Sequence, residues 1–134
     1  KGVDYSEVSV ATARKLNRQA IEDGRCVVWQ GSVTELIFAS SWFDLVTAFE
    51  TVYFWPDLAQ SFREVWRVLK SGGTFLICNE CGGENEKDEA WTKRIPGMTI
   101  YRDTQLQAAL EQAGFRNVQA HKNKKGWLCV TAQK

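Results

Sequence analysis

Arg67-Val68-Leu69-Lys70-Ser71-Gly72-Gly73-Thr74-Phe75-Leu76-Ile77 restricts the fold of this chain more than any other run. A helix ends in it, a glycine pair turns it, and an apolar strand leaves it. Upstream, Leu58, Phe62, Val65, Trp66 and Leu69 recur at three- and four-residue steps, the pattern of a helix with one apolar face. Pro56 and Asp57 open that helix; a proline in the first turn gives up only an N–H that has no helical partner. Gly72 and Gly73 permit a return toward the sheet where a side chain would clash. Thr74 to Cys78 shows no polar alternation, which predicts a strand buried on both faces.

The same alternation of strand and helix surrounds this run. Val3 lies in a very short apolar start, and Ser6 is placed to cap a helix over Glu7 to Asp23, with Val10, Ala13, Leu16, Ala20 and Ile21 at helical spacing. Gly24 ends that helix, and Cys26-Val27-Val28-Trp29-Gln30 predicts a strand bounded by Gly31. Residues 32–41 form a loop with room for one helical turn, and Phe43 to Phe49 is the next strand. A polar excursion from Glu80 to Arg94 holds a short helix around Asp88 to Lys93. Asp103 then caps a helix carrying Leu106, Ala109, Leu110 and Ala113, ended by Gly114. Phe115 to Ala120 and Trp127 to Ala132 are strands joined through Asn123-Lys124-Lys125-Gly126 as a hairpin.

No repeat, low-complexity tract or linker interrupts the series, so residues 1–134 read as one domain. Strands alternating with helices imply an α/β fold of parallel strands joined by right-handed crossovers, with helices on both faces. The closing hairpin adds an antiparallel end to the sheet. At 44% apolar and 25% charged residues the chain can bury a core. A net charge of +1 offers no electrostatic footing for nucleic acid or an anionic membrane. No apolar stretch approaches a membrane span and no signal peptide opens the chain, so a cytoplasmic protein is expected. Four cysteines occur, at 26, 78, 81 and 129. Cys78 and Cys81 have zinc-knuckle spacing, but there is no second pair and the single histidine is His121, so four reduced thiols and no metal are expected. Lys122, Lys124 and Lys125 read as a solvated turn.

In open α/β sheets, ligands bind beyond the carboxyl ends of the strands. Three short motifs fall at such ends: Gly2-Val3-Asp4-Tyr5-Ser6, Gly31-Ser32-Val33, and Phe49-Glu50-Thr51. Each has a plainer explanation. Asp4 can support the following helix N-terminus, Gly31 can be a simple turn, and Phe49, Phe54 and Trp55 can pack the core. Taken in order, with Arg67 to Gly73 and the closing hairpin, these motifs resemble the class I S-adenosylmethionine-dependent methyltransferases, of the methyltransferase type 11 kind. The resemblance runs along nearly the whole chain. It implies a Rossmann-like three-layer sandwich, with a mostly parallel sheet ending in an antiparallel hairpin and S-adenosylmethionine as cofactor.

Under that resemblance Asp4 would accept hydrogen bonds from both ribose hydroxyls, and Tyr5 would lie beside the adenosine. The family leads one to expect an acidic residue where Ser32 stands, accepting from the adenine amino group; a serine accepts more weakly because it is neutral. The Gly31-Ser32-Val33 turn would present a backbone N–H to the ring. Phe49 and Glu50 would lie nearest the cofactor, with Glu50 facing its ammonium group or serving as a base on the acceptor side. Trp91, Met98, Ile100 and Tyr101 would either line an acceptor pocket or roof the core. No residue is assigned a catalytic role, because a sulfonium is already a strong methyl donor and positioning supplies much of the rate.

The chain departs from the family in a second respect, beyond Ser32. Its first strand corresponds to the family's second, and the preceding strand, Gly-x-Gly-x-Gly loop and helix have no counterpart here. The resemblance therefore implies two exposed central strand edges, closed by direct pairing of the remaining strands or by a second chain, as in a homodimer. It implies a methyltransferase acting on a small-molecule acceptor, with weak or no cofactor binding by the isolated chain. Two other classes fit parts of the sequence: a non-catalytic remnant serving as a protein interaction module, and a nicotinamide-dependent oxidoreductase, against which the hairpin and the Arg67 to Gly73 run argue.

Overall fold

In the computed structural model, which describes residues 1–84 and 86–134, the chain runs β1 (Gly2–Asp4), α1 (Glu7–Leu16), α2 (Arg18–Glu22), β2 (Val28–Gln30) and β3 (Phe43–Phe49). After a 3-10 turn at Val52–Phe54 come α3 (Leu58–Val68), β4 (Leu69–Asn79), α4 (Glu86–Arg94), α5 (Asp103–Gln112), β5 (Arg116–Lys122) and β6 (Leu128–Gln133).

Local chemistry sets most of these boundaries. Ser6 Oγ accepts from the Ser9 N–H at 3.3 Å and starts α1. The single helix expected over residues 7–23 is broken at Asn17, whose Nδ2 donates to the Ala13 carbonyl at 2.8 Å and whose backbone leaves the helical region. β2 starts at Val28 instead of Cys26, since its partner β1 offers only three residues to pair. Asp57, not Pro56, is the N-cap of α3, accepting from the Gln60 N–H at 2.9 Å. The proline stands just ahead of the helix. Likewise Arg102 holds the N-cap position of α5, and Asp103 turns to Lys122 at 2.8 Å. Lys122 also pairs with Glu84, so it ties the hairpin to the rest of the domain instead of pointing into solvent.

The strands form two sheets. β1 and β2 pair in parallel as a two-stranded sheet. The other four lie in the order β3-β4-β6-β5, with β3 and β4 parallel and β6 antiparallel to both neighbours. α3 and α5 cover one face of this larger sheet, where Phe62, Val65, Leu106 and Leu110 pack with Phe75, Ile77, Val130 and Ala132. The other face stays open: Leu45 is 55% and Phe49 57% exposed. β4 is therefore buried on one face only, with Phe75 and Ile77 inside and Thr74, Leu76 and Cys78 partly exposed. The unbroken apolar run predicts burial on both faces, but among the described residues no helix supplies the second cover.

The Arg67 to Gly73 run departs in part from the expected helix end and turn: α3 stops at Val68, and Leu69, Gly72 and Gly73 lie inside β4, where its pairing with β3 shifts register. Arg67 donates to the carbonyls of Leu36 and Phe38 at 2.8 Å each and pairs with Glu64, fastening the loop after β2 to α3. A Cβ on Gly73 would stand 2.9 Å from the Lys70 carbonyl oxygen and 3.2 Å from that of Asp44. Gly72 has a φ of +77°, a region that favours glycine.

β1 and β3 do not pair with each other. Between them lies a cleft of about 290 Å³ lined by Val3, Phe38, Val46 and Trp55 among others. Direct closure, one of the two expected ways to satisfy these edges, does not occur. Ring contacts bridge the two sheets instead: Trp29 of β2 meets Phe38 edge-on at 5.5 Å between ring centroids, and Phe38 meets Phe43 of β3 at 4.9 Å. Among the described residues no helix is long and apolar enough to cross a membrane.

Candidate functional site

A cavity of about 790 Å³ opens where the carboxyl ends of β1, β2 and β3 converge. Asp4, Tyr5 and the Gly31-Ser32-Val33 turn after β2 line it from the smaller sheet, and Phe49 and Glu50 line it from the larger one. All seven residues singled out in the sequence thus border one space, although they come from three separate strand ends.

Each is held by its own local chemistry. Asp4 Oδ1 accepts from the Ser6 N–H at 2.8 Å, so the carboxylate does support the start of α1. The second carboxylate oxygen has no partner among the described residues. The Asp4 carbonyl accepts from the Gly31 N–H at 3.0 Å, which joins the first two motifs. A Cβ on Gly31 would reach Val3 at 3.4 Å, a close but bearable approach. Tyr5 is 70% exposed. The Ser32 hydroxyl is spoken for locally, lying 2.7 Å from Thr34 Oγ1 and accepting from the Thr34 N–H at 3.2 Å.

Glu50 is the most constrained residue of the wall. Its φ of +56° puts a non-glycine residue in the left-handed region, a conformation that costs energy and persists only where neighbours enforce it. Two hydrogen bonds, one from its backbone and one to its side chain, enforce it. The Glu50 N–H donates to the Cys78 carbonyl at 3.0 Å, and Glu50 Oε1 accepts from the Glu80 N–H at 2.6 Å. Burial pushes its carboxyl above the ordinary carboxylate value, and the nearby Glu80 charge adds to the rise. Tyr53 beside it is buried, with its phenol pushed above the usual range by burial; its hydroxyl accepts from the Cys81 N–H at 2.8 Å.

Some walls were not singled out in the sequence. Phe54 and Trp55, read there as core, line the cavity, and Trp55 also stacks on Phe75 at 6.1 Å between centroids. From the excursion before α5, Pro96 and Gly97 reach the cavity, whereas Trp91, Met98, Ile100 and Tyr101 are not among its walls. Neither residue belongs to an apolar pattern, so the sequence does not mark them as cavity walls. Among the described residues no group of three or more histidine, cysteine or acidic side chains is placed to hold a metal ion.

A Rossmann-like α/β domain of the class I methyltransferase type is defined by this arrangement: parallel strands, a reversed last strand, and a cavity beyond the strand ends. The sequence profile described as "Methyltransferase domain" matches residues 1–77, more than half of the chain, and the chain belongs to that family. It is 32% identical over 124 residues to cycloartenol-C-24-methyltransferase 1 of Oryza sativa subsp. japonica, covering 85% of this chain and 36% of that protein. It is 36% identical to a demethylmenaquinone methyltransferase of Lactiplantibacillus plantarum, covering 87% of this chain and 60% of the other. Its backbone matches a chain in the solved complex of a Haloferax volcanii methyltransferase with a methyltransferase activator at a TM-score of 0.88 and 21% identity, covering 98% of this chain and 69% of that one. That likeness is one of fold. The chain spans about a third of the length of the plant relatives it matches (36% and 37%).

Proposed function

We propose that this domain binds S-adenosylmethionine in the cavity beyond β1, β2 and β3 and serves methyl transfer to a small-molecule acceptor. The observation that carries the reading is the pair of carboxylates, Asp4 from the smaller sheet and Glu50 from the larger, with apolar Val33, Phe49 and Trp55 in the same lining. That set suits a ligand with a flat ring at one end, hydroxyl donors in the middle and a cationic group at the other end. The volume lies in the range of roughly 300–1,000 Å³ that holds cofactor-sized molecules. The half-engaged Asp4 carboxylate has an oxygen left to accept ribose hydroxyls. The restrained Glu50 carboxylate sits at a fixed position, as recognition of an ammonium group requires.

When bound, the cofactor supplies an activated methyl group on a sulfonium. The chain's own task is to bind and orient. The Ser32-Val33 turn confines the ring end, Asp4 fixes the ribose in the middle, and Phe49 and Glu50 hold the other end. Because the Ser32 hydroxyl is bonded to Thr34, the turn would meet an adenine through backbone N–H groups more than through that side chain. The acceptor would enter past Phe54, Pro96 and Gly97. The relatives' names mention sterol and menaquinone acceptors, which supports an apolar small molecule over a polymer.

Isothermal titration of the purified chain with S-adenosylhomocysteine tests this. Weak binding, on the order of 100 micromolar, is expected, weakened about tenfold, or about 1.4 kcal/mol, by Asp4→Ala. No heat at millimolar ligand, or equal affinity in the variant, would overturn the assignment. A homodimer joined along the free edges of β1 and β3 belongs to the same reading, and sedimentation velocity would show whether the chain is a dimer.

A further inference from the structure

The Cys78 and Cys129 sulfurs lie 3.1 Å apart, on directly opposed residues of β4 and β6. We propose that these two thiols are a site of reversible oxidation, forming a disulfide that staples β4 to β6 on the open face of the larger sheet.

The backbone fits such a bond. The Cys78 carbonyl accepts from Glu50 on the β3 side, so its polar backbone groups point away from β6. The cysteines therefore occupy a non-hydrogen-bonded pair, where Cα atoms stand about 4.5 Å apart, inside the range of about 4.4–6.8 Å that disulfides span. The sulfurs must close by about 1 Å to reach bonding distance near 2.05 Å, a shift that side-chain rotation supplies. Access fits as well. Both residues are only partly buried, and they share the sheet face on which Phe49 and Leu45 are more than half exposed. Cys26 and Cys81 have no such partner: among the described residues no other two thiols are in contact.

The electrons balance with a hydroperoxide as oxidant. One sulfur attacks the O–O bond, taking an OH as a sulfenic acid while the other oxygen leaves as water or alcohol. The second sulfur displaces that OH, which leaves with the second thiol's proton as water. Two thiols lose two electrons, and the O–O bond gains them. A dithiol reverses the step by exchange. Burial, with Cys129 alongside, pushes the Cys78 thiol up to about 11, so the pair is sluggish toward mild oxidants at neutral pH and reacts faster as pH rises. Once formed, the bond closes a loop over residues 78–129 that contains α4, α5 and β5, and so restrains the unfolded chain.

The test treats the purified chain with hydrogen peroxide, alkylates the remaining thiols after denaturation, and maps the peptides by mass spectrometry. Two of the four thiols should be lost, with Cys78 and Cys129 peptides linked within a monomer. Dithiothreitol should restore both. The oxidised protein should melt about 5 °C or more above the reduced one. Cys78→Ser and Cys129→Ser should each keep their three remaining thiols alkylatable, while Cys26→Ser behaves as the unmodified chain. Four alkylatable thiols after treatment, a sulfinic acid on one cysteine, or a link to Cys26, to Cys81 or between chains would overturn the proposal. The peptide map of the unsubstituted chain decides the matter even if a serine variant fails to fold.

Discussion

The two sheets of this domain both contribute to the cavity, and they are unequal partners. β3, β4, β5 and β6 pair over five or six positions per neighbour and sit on a core in which Phe62, Phe75, Leu106 and Leu110 are all but inaccessible. β1 and β2 pair over three residues. Their cover is α1, which buries Val10 but leaves Val8 and Leu16 exposed. An isolated pair of short strands is marginal in water. The lesson is that Asp4 stands on the weakly held half and Glu50 on the strongly held half. The distance between them rests on the loop that Arg67 fastens and on the Trp29–Phe38–Phe43 ring contacts.

The largest expected effect separates the halves by stability. Phe75→Ala removes a ring that packs on Trp55, Phe62 and Phe115 and should cost about 3–5 kcal/mol, enough to unfold the domain at moderate denaturant. Val28→Ala in β2 should cost about 1–2 kcal/mol in the same urea titration. Equal losses would erase the distinction between the halves.

Hydrogen exchange sharpens the comparison next. In the free chain, amides of β1 and β2 should exchange faster than those of β4 and β6, because few buried contacts oppose their local opening. Saturating S-adenosylhomocysteine should slow exchange at β1 and β2 by about tenfold or more while leaving β4 and β6 nearly unchanged. Protection confined to β4 and β6 would place the ligand elsewhere.

The smallest effects concern pH, and two carboxylates should act with opposite signs. Glu64 accepts from Arg67 and from the Leu36 N–H, and the Arg67 bond holds it below the ordinary value of 4.5. Its contribution is present in full above that value and is lost as pH falls through the lower, folded value. Glu50 is raised by burial, so the folded state favours its protonated form and loses stability as pH climbs through the raised value. Glu50→Gln should therefore raise the melting temperature slightly at pH 7 and not at all near pH 3, while weakening S-adenosylhomocysteine. Melting curves at the two pH values check this; a loss of stability at pH 7 would show that the charged form is favoured.

Much of this domain was legible in the sequence, for identifiable reasons. Ser6, Gly24, Gly114 and the Asn123 turn act within a few residues of themselves, and so their effects could be read locally. The three strand-end motifs border one cavity because parallel strands put their carboxyl ends on one edge. Other features were out of reach. Asn17 looked like an ordinary helical position, yet its amide chose the Ala13 carbonyl. Ser32 looked available, yet Thr34 claims its hydroxyl. Pro96 and Gly97 carried no pattern that marks a cavity wall.

By itself the sequence determined the kinds of element, their order, and which residues stand at the strand ends, since periods of 2 and 3.6 and the cap and turn residues are local properties of a chain. Only the tertiary structure decided that β1 and β3 stay apart, that one face of the larger sheet lies open, and that two cysteines 51 positions apart come into contact. Those outcomes depend on distances between segments far apart in sequence. They are set by how the rings of Trp29, Phe38 and Phe43 pack and by the register of β4 on β6, and no local pattern encodes a distance.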